Sequence, residues 1–139
     1  MVLTGYNPSM STVPKILMVD DDVDLEEIVS LKLQAEGFWV KTVNDPVLAL
    51  QEAKTFRPDL VLLDVNMPGM NGTEYLIELK SIPDMKHAKV VFFTSMSNPW
   101  PILKDRDAVV RELGAADFIE KSADLGDVVK KIRETLRKE

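Results

Sequence analysis

Residues 15–22 read Lys-Ile-Leu-Met-Val-Asp-Asp-Asp. Four apolar residues run straight into three adjacent aspartates. The apolar run is too short for a helix and shows no alternation, so it reads as a strand buried on both faces of a parallel sheet. The acids then stand at that strand's carboxyl end. At ~4 Å and an effective dielectric of ~20, two such carboxylates repel by about 4 kcal/mol. Something near them must offset that charge.

The same signature recurs along the chain. Residues 60–63 (LVLL), 90–93 (VVFF) and 118–119 (FI) are short apolar runs, and residues 38–43 are a fifth strand candidate. Helical patterns fill the gaps. Leu25, Ile28, Val29 and Leu33 share helical spacing, and Gly37 follows as a stop. Asp45 and Pro46 read as an N-cap and a first helical residue. Leu50, Ala53 and Phe56 continue that helix until Pro58. Residues 73–82 carry Leu76, Ile77 and Leu79 before Pro83. Residues 102–113 read as a fourth helix, ended by Gly114. Asp124 caps a fifth, with Leu125, Val128, Val129, Ile132 and Leu136 on one face. Strand and helix thus alternate five times. Right-handed crossovers turn that order into a doubly wound (βα)5 α/β fold, a five-stranded parallel sheet with helices on both faces. Ligands of such sheets sit beyond the carboxyl ends of the strands, near the switch in strand order.

The bulk composition agrees. A chain of 139 residues with 45% hydrophobic and 29% charged residues is one globular domain. The net charge of −6 argues against nucleic acid and anionic membranes as partners. With no cysteine, disulfides and thiolate metal sites are excluded, which suits the cytoplasm. No apolar run approaches the ~18 residues of a membrane span. Residues 1–13 read as a flexible N-terminal extension and 14–139 as the domain; no basic residue precedes Lys15, so the extension is not a leader.

Several chemically active side chains end strands. Asp20, Asp21 and Asp22 follow the first, Asp64 the third, Thr94 and Ser95 the fourth and Lys121 the fifth. All would reach one rim. An oxygen-only donor set suits Mg²⁺, which takes one or two carboxylates and keeps several waters. The cation offsets the acid repulsion, and an isolated carboxylate facing it could accept a phosphoryl group. Lys121 supplies a mobile positive charge and Thr94 a hydroxyl donor. A calcium loop over the acids at 20, 22 and 24 fails, because Leu25 stands where the loop needs glycine and Leu31 where it needs glutamate. His87, the single histidine, lies in a polar stretch and reads as solvated.

The segments VDDD at 19–22, LVLLDVNMPGMNG at 60–72, VVFFTS at 90–95 and GAADFIEK at 114–121 together resemble the receiver domains of two-component response regulators, single-domain chemotaxis regulators among them. The resemblance covers about residues 14–138. It implies a flavodoxin-like fold and a Mg²⁺ site at Asp20, Asp21, Asp64 and the Asn66 backbone carbonyl. Asp21 would ligate directly and Asp20 mainly through water. It makes Asp64 the phosphoacceptor, Thr94 the switch hydroxyl, Lys121 the phosphate-pairing lysine and Phe118 the switch aromatic. The implied donor is a phosphohistidine on a sensor histidine kinase or histidine phosphotransfer protein. The implied output is a downstream protein docked on the face of the fourth helix, fifth strand and fifth helix. Such a domain is a phosphoacceptor, not an enzyme. Asp22 falls outside the set and reads as a helix cap.

Three positions depart from the family pattern. Ser122 follows Lys121 where proline in a cis peptide is usual. Phe118 lacks the hydroxyl of the common tyrosine. The stretch from Thr94 to Lys121 is longer than usual, with the surplus around residues 95–101. These departures motivate an alternative, a pseudo-receiver that binds partners without phosphorylation. A free-standing aspartyl phosphatase is disfavoured, because Asn66 stands where a second acid would be needed. Asn66 and Met96 occupy positions that tune the lifetime of the phosphorylated state in the family.

Overall fold

The computed structural model describes residues 13–64, 72–94 and 114–138. Five strands form one sheet: β1 (Lys15–Val19), β2 (Trp39–Val43), β3 (Leu60–Asp64), β4 (Lys89–Thr94) and β5 (Asp117–Glu120). Every pairing is parallel, and the order is β2-β1-β3-β4-β5. The order therefore reverses at β1, which puts the switch point between β1 and β3. The described helices are α1 (Val23–Ala35), α2 (Pro46–Phe56), α3 (Gly72–Lys80) and the C-terminal α4 (Leu125–Arg137). The helix predicted over 102–113 lies outside the described residues.

The lack of alternation in the strands has the expected cause. Leu17, Val19, Val61, Leu63, Val90 and Phe92 pack on one face with Ala49, Ala53, Leu76 and Leu79 of α2 and α3. Ile16, Met18, Leu60, Leu62, Val91 and Phe93 pack on the other with Val29 and Leu33 of α1 and Val128 and Ile132 of α4. Both faces are dry, so truncating a leucine such as Leu62 to alanine should cost about 2–5 kcal/mol. The edge strand β2 is mostly exposed. Its Trp39 is 57% exposed and meets Phe56 edge-on at 5.6 Å.

The caps form as the sequence implies. Oδ1 of Asp22 accepts from the Leu25 N–H at 3.1 Å, Asp45 from Val47 at 2.9 Å and Asp124 from Gly126 at 2.8 Å. Gly37 follows α1 at φ +97°, a conformation that suits glycine. Arg57 takes the left-handed conformation after α2 at φ +54° without being glycine.

Two helical faces are rotated from the predicted ones. The buried stripe of α1 is Glu26, Val29, Ser30 and Leu33, and Ile28 is 53% exposed. In α3 the buried residues are Tyr75, Leu76 and Leu79, and Ile77 faces solvent. That helix ends at Lys80 rather than Ile82. Pro83 disfavours helical backbone at the residue before it, and Ile82 is extended, opening a 3-10 turn over Pro83–Met85.

Candidate functional site

The carboxyl rim of the sheet gathers the predicted acids and lysine. β1 ends one residue before Asp20, whose backbone N–H donates to the Val43 carbonyl of β2 at 3.1 Å. Asp64 is the last residue of β3, and Thr94 the last of β4. Lys121 follows β5, and its backbone N–H donates to the Thr94 carbonyl at 2.6 Å. That bond extends the β4–β5 ladder and aims the lysine across the rim. Its Nζ donates to Oδ1 of Asp20 at 3.0 Å, lies 2.9 Å from Oδ2 of Asp20 and reaches Oδ2 of Asp64 at 3.4 Å. The Asp20 Oδ2 contact is ionic in distance but lacks hydrogen-bond direction. Asp20 is 1% exposed and Asp64 6%, whereas Asp21 is open to solvent.

Burial would by itself push the Lys121 ammonium down. The hydrogen bond that it donates to Asp20 and the charges of Asp20 and Asp64 outweigh this, and the ammonium is held above its usual value. The lysine is thus firmly charged and positions both acids. Asp22 turns away into its cap while its backbone N–H donates to Oδ1 of Asp20 at 2.9 Å. The three aspartates therefore divide as their positions suggest: two at the rim and one opening α1.

Glu26 belongs to this region too, and the sequence reading missed it. It is 3% exposed, and among the described residues its Oε2 has no hydrogen-bond partner. Desolvation first, and the Asp20 charge second, push its carboxyl up to about 8, against the smaller pull of the Val43 backbone and Lys121. The signal was available: Glu26 shares the helical stripe of Val29 and Leu33.

Oxygen atoms of Asp20, Asp21 and Asp64 lie within 4.8 Å of one another. An all-carboxylate set with one exposed member fits a hard cation that keeps waters. Phe118 is buried among Val90, Phe92 and Ala115 on the α2–α3 side. The Lys121–Ser122 peptide is trans. Asn66, Ser95, Met96 and Trp100 lie outside the described residues. Among the described residues, no helix is long and apolar enough to cross a membrane.

Comparison with known proteins points the same way. The family model for the response regulator receiver domain matches residues 16–133. The chain is 33% identical over 124 residues to the DNA-binding response regulator MtrA of Mycolicibacterium paratuberculosis, covering 89% of this chain and 52% of that one. It is 37% identical over 125 residues to a CpxR homolog, a transcriptional regulatory protein of Haemophilus influenzae, covering 89% and 51%. The chain thus spans about half the length of these regulators. Among solved structures, chemotaxis response regulator CheY4 of Vibrio cholerae superposes with a TM-score of 0.79 at 27% identity, covering 89% of this chain and 99% of that one. The BeF3-activated receiver domain of Klebsiella pneumoniae RstA gives 0.77 at 25%, covering 89% and 99%. The chain belongs to the response regulator receiver domain family of two-component systems.

Proposed function

We propose that this receiver accepts a phosphoryl group on a carboxylate oxygen of Asp64 and thereby switches a partner-binding surface. The observation that carries the reading is Lys121, which spans Asp20 and Asp64 beside the exposed Asp21. Asp20, Asp21 and Asp64, with the Asn66 carbonyl, would hold a Mg²⁺ ion. Bound there, the cation would neutralise charge on the transferring phosphoryl oxygens.

The chain's own residues do the remaining work. The Asp64 oxygen attacks phosphorus, the phosphorus–nitrogen bond to the donor histidine breaks, and the imidazole leaves with the electron pair. Lys121 keeps Asp64 oriented beforehand and then pairs with phosphoryl oxygens. Phosphorylation brings about −1.5 to −2 charge to the rim. Thr94 can donate its hydroxyl to a phosphoryl oxygen, and Phe118 on the adjacent strand can repack in response. The donor is a sensor histidine kinase or a histidine phosphotransfer protein in the cytoplasm. Exposed Val23, Ile28 and Leu31 on α1, next to the acids, offer that donor an apolar surface. The target is a protein docked on the face that includes β5 and α4. The domain occupies residues 14–139, after an extension at 1–13. The DNA binding named for the mycobacterial relative is not carried over to this chain, whose net charge is −6.

Incubation with acetyl phosphate and Mg²⁺, followed by intact mass measurement, tests the reading. One phosphoryl group should add to the wild type and none to Asp64→Asn. Equal labelling of both would overturn it.

A further inference from the structure

The amino rim of the sheet, opposite the acids, carries a hollow of about 540 Å³ lined by Lys80, Lys86, His87, Lys89 and Lys138. Among the described residues no carboxylate lines it, and none of its four lysines makes an ion pair. In a chain of net charge −6, this is a concentration of unneutralised positive charge. Helix ends explain part of it. Lys80 closes α3 and Lys138 follows α4, where cations complement the helix dipole. Lys86 closes the 3-10 turn over Pro83–Met85, His87 follows it, and Lys89 opens β4.

The lysines differ in how they are held. Nζ of Lys80 donates to the Ala88 carbonyl at 2.7 Å and, more weakly, to the Lys86 carbonyl at 3.4 Å. Its ammonium is therefore pinned over the turn with a proton left for another acceptor. Burial first, and the neighbouring Lys89 charge second, push that ammonium down. Lys86 and Lys138 are exposed, and long flexible stems let them close on a ligand. Ala88, Val90, Gly114 and Ala116 complete the lining. In the adjoining hollow, Oδ2 of Asp59 is already engaged by the Lys15 N–H at 2.8 Å.

We infer that this hollow binds a small anion carrying two adjacent phosphoryl groups. Four lysines line the hollow. One phosphate, at about −1.5 to −2, would offset only about half of that charge, and lysine is a common partner of phosphate oxygens. The site is independent of phosphoryl transfer at Asp64.

The test uses Asp64→Asn protein with EDTA at low ionic strength, so that the acid rim takes no part. Pyrophosphate, ADP and orthophosphate are titrated separately, with amide shifts and calorimetry as readouts. Pyrophosphate or ADP should give saturable shifts at Ala88, Lys89, Gly114 and Ala116. The tighter of the two tells a bare diphosphate from a nucleotide. Its affinity should exceed that of orthophosphate at least tenfold. The triple substitution Lys86→Gln, Lys89→Gln, Lys138→Gln should weaken it at least tenfold with an unchanged melting temperature. Lys80 is left in place because it ties down the turn. No saturable binding, equal binding by the triple variant, or no preference over orthophosphate (an adventitious ion only) would each overturn the proposal.

Discussion

At the carboxyl rim, Asp20 and Asp64 are almost wholly buried and converge on one lysine; at the amino rim, Lys86 and Lys138 stand in solvent around a hollow that no acid lines among the described residues. One sheet thus carries opposite charge at its two ends and holds it in opposite ways. Burial makes each charge at the first rim depend on its neighbours, because water cannot replace a lost partner. Exposure at the second makes each charge nearly independent for folding while leaving it available to a ligand. The same formal charge should therefore weigh very differently in stability at the two ends.

The largest expected effect tests that contrast on Glu26. Its folded carboxyl holds a proton up to about pH 8, whereas the unfolded one loses it near 4.5. Between those values the folded state binds more protons, so wild-type stability falls as pH rises, by about 1.4 kcal/mol per unit. Glu26→Gln removes this loss. In EDTA, urea unfolding should show the variant more stable than wild type by on the order of 5 kcal/mol at pH 8.5, since the carboxyl moves from 4.5 to about 8 at ~1.4 kcal/mol per pH unit. The gain should nearly vanish at pH 4.5. A pH-independent difference would place Glu26 in water and break the comparison.

Next in size, Lys121→Met strands two buried acids and should cost about 3 kcal/mol at neutral pH without Mg²⁺. Chemical denaturation measures it, and a loss below ~1 kcal/mol would show that water reaches the rim. Asp22→Ala removes only a cap. It should lower stability by about 1 kcal/mol yet keep acetyl phosphate labelling, whereas Asp21→Ala should lose the labelling. If the two substitutions exchanged phenotypes, the assignment of the acids at the end of β1 would be off by one residue. Smallest of all, Lys86→Gln at the amino rim should change stability by under ~0.5 kcal/mol.

The sequence was most legible where local chemistry decides structure. A strand buried on both faces needs no alternation, so KILMV, LVLL and VVFF stood out. Asp22, Asp45 and Asp124 announced helix starts because a short acid before an apolar stripe has an N–H to accept from. Asp20 and Asp64 were found because they directly follow apolar runs, with Asp21 and Lys121 one residue further on. What escaped depends on rotation and on distance along the chain. Glu26 and Glu27 look alike in sequence, and only the turn of α1 buries one of them. Ile28 looked like core for the same reason. The lysines at 80, 86, 89 and 138 are scattered along the sequence, and only the topology brings them around one hollow.

Trp39 has a practical consequence for following the switch by light. It opens β2 at the amino rim, with the Lys15 ammonium 5.4 Å from its ring and Phe56 against its edge. Val43, at the other end of the strand beside Asp20, is four residues away, or ~13 Å at ~3.3 Å per residue. Trp39 emission should therefore stay constant when a beryllofluoride–Mg²⁺ complex loads Asp64. The chain has two tryptophans, so any change in intensity or colour would report on Trp100 alone. Trp39→Phe would leave Trp100 as the single tryptophan with which to test the proposed phosphorylation of Asp64.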